Sequence, residues 1–122
     1  MDKSYIKQEH PFIVPTSDGK LIEEHFGRAA TGQSDISLAH MIAPPFWKEP
    51  AQRPDFDEYT LVIRGKKEVR VNGETLILTA GQSILVKRYS EVRYANPFPE
   101  EVEYVSLCIP AFSPERARRE QT

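Results

Sequence analysis

The chain has 122 residues, enough for one domain with one core. Apolar residues make up 39% and charged residues 28%, an ordinary soluble composition, and the net charge of −2 gives no pull toward nucleic acid or an anionic membrane surface. One cysteine, Cys108, allows no internal disulfide, no apolar run approaches a bilayer span, and Met1–Pro11 lacks the apolar core of a signal peptide, so the expected compartment is the cytoplasm.

Along the chain, ten prolines fall mostly between apolar runs and favour short strands joined by stiff loops. Phe12-Ile13-Val14 before Pro15 reads as a first strand or as an arm that pairs with another subunit. Ser17-Asp18-Gly19-Lys20 is a turn by composition. Leu21–Phe26 reads as a strand, and residues 27–34 as loop. Ile36–Ile42 alternates, with Ile36, Leu38, His40 and Ile42 on one face and Ser37, Ala39 and Met41 on the other. Pro44-Pro45 ends it, and the proline-rich loop that follows is expected to expose Phe46 and Trp47.

Tyr59–Arg64 is a continuous β-prone run. Lys66–Val71 alternates, with Val69 and Val71 facing one way and Glu68 and Arg70 the other. Asn72-Gly73 predicts a type I′ hairpin, because both residues tolerate positive φ. Glu74–Leu78, Ser83–Lys87 and Ser90–Ala95 read as further strands. Val102–Ile109 is the last, with Val105, Leu107 and Ile109 opposite Tyr104, Ser106 and Cys108. Pro114–Gln121 reads as a helix, with Ser113 as cap and Pro114 at the first position. Roughly eight or nine short strands with tight turns predict an all-β sandwich or barrel.

Two stretches carry a resemblance. Glu58 and Gly65 are separated by Tyr59–Arg64, and Gly73, Gly81 and Asn96 follow. These residues and spacings resemble the two motifs of the cupins, the small double-stranded β-helix family, and Cys108–Ser113 resembles the strand that closes many small cupins. The resemblance covers Ile36–Phe112. It implies a jelly-roll barrel core over 36–112, an N-terminal arm over 1–20 and a tail with a short C-terminal helix over 113–122, all in a single domain. The departures are chemical. Phe46 stands at the opening glycine. The two histidines of the first motif fall on Gln52 and Pro54, or on Ala51 and Arg53. Thr79 replaces the second motif's proline, and Val92 stands where its histidine belongs.

In typical cupins, the resemblance implies, three imidazoles and one carboxylate hold a first-row transition ion in the barrel mouth. This chain keeps Glu58 of that set, so no metal cofactor is expected. His25, His40 and Glu58 would make a substitute two-histidine, one-carboxylate set, but nothing in their spacing brings them together. Glu58, if it points inward, is either a general acid or base or a leftover carboxylate tied to a hydroxyl or to Arg53, Arg64 or Arg93. His40 is a second acid/base candidate, against the plainer reading of a strand histidine with an ordinary hydrogen bond. Tyr94 shares a strand face with Val92 and is a candidate ligand-binding residue, as are Gln52, Trp47 and Tyr104. Trp47 with Phe46 is read as a lid over the mouth or as part of a dimer interface. Cys108 reads as a small buried hydrophobe.

Three functions remain open on the sequence. One is a metal-independent barrel that binds a small molecule. Another is a metal-independent isomerase, epimerase or lyase using Glu58 or His40. The third is a degenerate barrel serving as a dimerisation module. A C2 homodimer is expected in each case, with Phe12-Ile13-Val14 and the Trp47 loop as candidate contacts.

Overall fold

A computed structural model describes residues 4–119. Ten strands follow one another along the chain: β1 (Phe12–Ile13), β2 (Leu21–Phe26), β3 (Ser37–Ala43), β4 (Trp47–Lys48), β5 (Asp57–Arg64), β6 (Lys66–Val71), β7 (Glu74–Thr79), β8 (Ser83–Val86), β9 (Val92–Asn96) and β10 (Val102–Ile109). One short helix, α1 (Pro114–Ala117), closes the order. Six strands form one sheet, in the order β1-β2-β3-β10-β5-β8, and four form the other, β4-β9-β6-β7. The pairings are antiparallel, and the two sheets face each other as an all-β jelly-roll barrel. Among the described residues no helix is long and apolar enough to cross a membrane.

The alternation of side chains fixes what the barrel contains. β5 turns Glu58, Thr60 and Val62 inward, and β10 turns Val102, Tyr104, Ser106 and Cys108 inward. Register then stacks these into layers. Met41, Tyr104 and Val62 lie across from one another, then Ala39, Ser106 and Thr60, then Ser37, Cys108 and Glu58. The interior therefore grades from apolar at Ala43 and Val102 to polar at Glu58. Val62, Val69, Val92 and Val102 are fully buried in the apolar core. Each such side chain contributes about 1.5–3 kcal/mol of burial.

The turn residues have visible causes. Asn72 and Gly73 both take positive φ, 48° and 87°, as a type I′ hairpin requires. Gly65 turns β5 into β6 at φ 86°, and a Cβ there would lie 2.6 Å from the Glu101 carbonyl oxygen. Only glycine fits that approach. Phe46 adopts φ 61°, so the position where the resemblance expects glycine does demand left-handed backbone. Asn96 is fully buried, and its amide donates to the carbonyls of Pro44 (3.0 Å) and Glu100 (2.8 Å), tying two loops together.

Sequence expectations fare unevenly. β1 pairs with β2 of its own chain, Phe12 opposite Glu24, so the reading of this segment as a first strand holds, at the edge of the six-stranded sheet. That sheet takes in residues ahead of Ile36. The proline-rich loop includes a two-residue edge strand, β4, paired with β9. Phe46 is exposed as expected, but Trp47 is buried: its position in β4 turns the indole inward, where Nε1 donates to Asp18 at 2.7 Å. Ser113 caps the helix by accepting from the Arg116 amide, yet the helix ends at Ala117 because Arg118 takes left-handed backbone, φ 52°. The end of the expected helix, Gln121, lies outside the described residues.

Candidate functional site

The polar end of the barrel opens into a cavity of about 430 Å³. β5 supplies Glu58 to its wall, β9 Tyr94, β10 Tyr104, Ser106 and Cys108, β6 Lys67, and the segment before β2 Lys20. Gln52 reaches it from the loop before β5, where its backbone bridges to Val92 (N to O 2.9 Å, and 2.8 Å in return). One candidate histidine position of the first motif and the histidine position of the second are therefore neighbours in space, held by Gln52 and Val92.

Four of the sequence candidates come together here. Glu58 is buried, and its Oε1 accepts a hydrogen bond from the Tyr94 hydroxyl at 3.2 Å. Gln52 Oε1 accepts from Arg119 Nε at 3.2 Å. Tyr104 lines the cavity with its hydroxyl buried and without a hydrogen-bond partner among the described residues. Trp47 stands one layer back and stacks on Lys20. Burial pushes the phenols of Tyr94 and Tyr104 well above their ordinary range, as it does the Cys108 thiol, so all three stay protonated at neutral pH.

His40 is elsewhere. Ser37, Ala39 and Met41 of β3 line the cavity, so His40 projects from the opposite face of the strand. There its Nδ1 meets Glu23 and its Nε2 meets Glu103, each at 2.7 Å. It does not reach Glu58. Among the described residues no three His, Cys, Asp or Glu side chains gather as a metal-ligating group, so His25, His40 and Glu58 do not converge. The arginines considered for Glu58 are also engaged elsewhere: Arg53 with Glu91 (3.7 Å), Arg64 with Glu101 (3.0 Å), and Arg93 with the Glu49 carbonyl (3.2 Å).

The positive charge beside Glu58 comes from two lysines that sequence reasoning passed over. Lys67 is 1% exposed, with its Nζ 3.4 Å from the centroid of the Tyr104 ring and 4.3 Å from that of Tyr94. Lys20 is 9% exposed, with its Nζ 4.3 Å from the Trp47 ring and 5.4 Å from that of Tyr104. Among the described residues no carboxylate lies within ion-pair distance of either Nζ; the nearest compensation is cation–π contact and the field of Glu49 and Glu58. Burial pushes the Lys67 ammonium down to about 7, and the charge of Lys20 adds to the effect. Burial lowers Lys20 as well. At the rim, Glu49 faces Arg119 at 3.7 Å, and burial raises its carboxyl.

A signal for Lys67 existed. It has the same parity as Val69 and Val71, so it stands on the inward face of β6, where a lysine is out of place unless it is used. Lys20 gave none, since it closes a turn whose composition explains itself. Glu49 and Arg119 lie in loop and tail, where periodicity says nothing.

Comparison with known proteins places these features. The family model described as Cupin domain matches residues 39–109. A Myxococcus xanthus protein named Endoribonuclease YbeY is 44% identical over 108 residues, which is 88% of this chain and 37% of that protein. The chain thus spans little more than a third of that relative's length. Among solved structures, an RmlC-like cupin from Shewanella frigidimarina is 16% identical, with 90% of this chain and 93% of that chain covered and a TM-score of 0.72. Pac13 of Streptomyces, described as a unique nucleoside dehydratase, is 14% identical, with 98% and 92% covered and a TM-score of 0.75. At these identities the two structures share the fold alone.

Proposed function

Because this chain belongs to the cupin domain family, we propose that its barrel interior binds a small organic anion and does so without a transition metal. The observation that carries this reading is the pair of buried lysines, Lys20 and Lys67, facing one cavity with no carboxylate in ion-pair contact among the described residues. An ammonium removed from water is costly, and an anionic guest offsets that cost. The Tyr104 hydroxyl and the Gln52 amide add polar groups to a mixed wall that sets Glu49 and Glu58 beside apolar side chains such as Met41 and Phe56. The same residues suit a metal poorly. Gln52 and Val92 offer no imidazole, the carboxylates of the wall do not gather into a ligand group among the described residues, and two ammonium groups in the same cavity repel a dication.

Titration calorimetry of the purified chain with small carboxylic acids tests the reading. Saturable binding that survives a chelator and is lost in Lys20→Gln supports it. Near-stoichiometric Mn, Fe, Ni or Zn in the purified protein overturns the metal-free part.

A catalytic version of the site is the second reading. It is favoured by the Tyr94–Glu58 hydrogen bond beside a lysine poised near neutrality, which together can hold and pass a proton. Turnover of a bound acid by isomerisation, epimerisation or elimination, abolished by Glu58→Gln, is the expected signature. The Myxococcus protein named as an endoribonuclease lends this chain no such activity, since the match covers 37% of that protein.

For the homodimer, the outer face of the six-stranded sheet replaces Trp47 as the candidate contact. Tyr59, Leu61 and Ile63 of β5 and Leu85 of β8 are exposed together there, an apolar stripe that a second copy would cover. Light scattering at micromolar protein decides this, and a monomeric mass counts against it.

A further inference from the structure

Resting on the reading of the barrel as a small-molecule site, we propose that Lys67 is an imine-forming lysine whose Nζ adds to the carbonyl carbon of a 2-oxo acid held in the cavity. Three features argue for it. Lys67 is buried among the residues that line the cavity wall, with no ion-pair partner among the described residues, so no carboxylate ties up its amine. Attack requires the neutral amine, and burial together with the charge of Lys20 holds the group near neutrality. The Tyr94 and Tyr104 rings flank the nitrogen at 4.3 and 3.4 Å, and their faces favour the cationic iminium as they favour the ammonium.

The remaining groups match the rest of such a substrate. Tyr104 has a buried hydroxyl with no partner among the described residues, a donor left over in the same wall that would suit the carbonyl oxygen. Lys20 supplies the second cation, 5.4 Å from the same ring, for the neighbouring carboxylate. Glu58, already hydrogen-bonded to Tyr94, is the base and acid that moves protons. The step balances without an oxidant or reductant. The nitrogen–carbon bond forms as the carbonyl π bond breaks, the oxygen takes a proton, and the resulting carbinolamine loses water to give the imine.

The test is trapping. The full chain is incubated with pyruvate or 2-oxoglutarate and sodium cyanoborohydride, then weighed intact and mapped by peptide fragmentation. The expected result with pyruvate is a single adduct, heavier by one pyruvic acid less one oxygen atom, located on Lys67 and absent in Lys67→Met. Mapping the wild-type chain decides the site even if that variant folds poorly. Adducts scattered over exposed lysines, or none with either acid, overturn the proposal. Lactate and 2-hydroxyglutarate, which keep the carboxylate and lack the carbonyl, separate the two readings by calorimetry. Binding of these acids with no Lys67 adduct sinks the imine and leaves the anion site standing. Absence of any binding sinks both.

Discussion

The Nζ of Lys67 rests 3.4 Å from the centroid of the Tyr104 ring, in a wall where a carboxylate partner would be the ordinary arrangement. A cation over an aromatic face gains about 0.5–2 kcal/mol, less than burying an ammonium costs. The deficit shows as the fall of its pKa to about 7. The folded chain therefore carries an amine whose charge is unsettled at neutral pH, and that has consequences for stability.

Between about 7 and the ordinary lysine value of 10.5, the unfolded chain holds a proton on Lys67 that the folded chain has given up. The Lys67 contribution to stability is thus fully present above the unfolded value and lost as pH falls through about 7. The wild type is expected to gain stability relative to Lys67→Met as pH is raised from 7 to 10. Urea unfolding of both chains at each pH measures it, and the tyrosine and cysteine shifts largely cancel in the comparison. A difference that does not change with pH refutes the assignment.

The two cavity tyrosines should behave in opposite ways. Tyr94→Phe removes the donor to buried Glu58 and is expected to cost about 1–3 kcal/mol. Tyr104→Phe removes a hydroxyl that has no hydrogen-bond partner among the described residues, so it should be neutral or stabilise the free protein by up to about 1 kcal/mol. Both should weaken anion binding. Denaturant melts with and without ligand separate the effects. Loss of stability in Tyr104→Phe would mean that its hydroxyl has a partner in the free protein.

Gly65→Ala is expected to be severe. The added Cβ would sit 2.6 Å from a backbone oxygen at φ 86°, and neither strand can yield without breaking the β5–β10 register. A loss of about 2 kcal/mol or more in denaturant melts is expected. Gly73→Ala, with nothing within 4 Å of its new Cβ, should cost less. Equal losses would show that φ alone matters at both sites.

The fold was legible because its demands are local. Asn72-Gly73 can hardly be anything but a hairpin, Gly65 answers to a backbone contact, and β10 has the residues and facing that alternation predicts. Glu58, Gln52, Tyr94 and Tyr104 followed from strand parity laid over motif spacing. Trp47 did not, because a two-residue edge strand leaves no periodicity to show which way an indole turns. Lys20 and Arg119 did not either, since turn and tail residues reach the cavity only through the closure of the barrel. Lys67 was readable, since it shares a strand face with Val69 and Val71, the valines two and four residues on.

His40 supplies the last prediction, because its chemistry looks catalytic and its place is not. Its ring lies between Glu23 and Glu103 on the outer face of the six-stranded sheet, and hydrogen bonding to Glu103 and then Glu23 raises its pKa above the ordinary 6.5. A raised histidine stabilises most below its unfolded pKa, and the contribution is lost as pH rises through the folded value. The ring is partly exposed, so water and salt screen the pairs, and His40→Gln is expected to cost under about 1 kcal/mol at pH 6 and less at pH 8.5. Anion binding in the same variant should match the wild type at both pH values, because β3 turns Ala39 and Met41, not His40, toward the cavity. Calorimetry beside denaturant melts checks both halves. A variant that keeps its stability but loses the ligand would return His40 to the site and displace Lys67 from the centre of the mechanism.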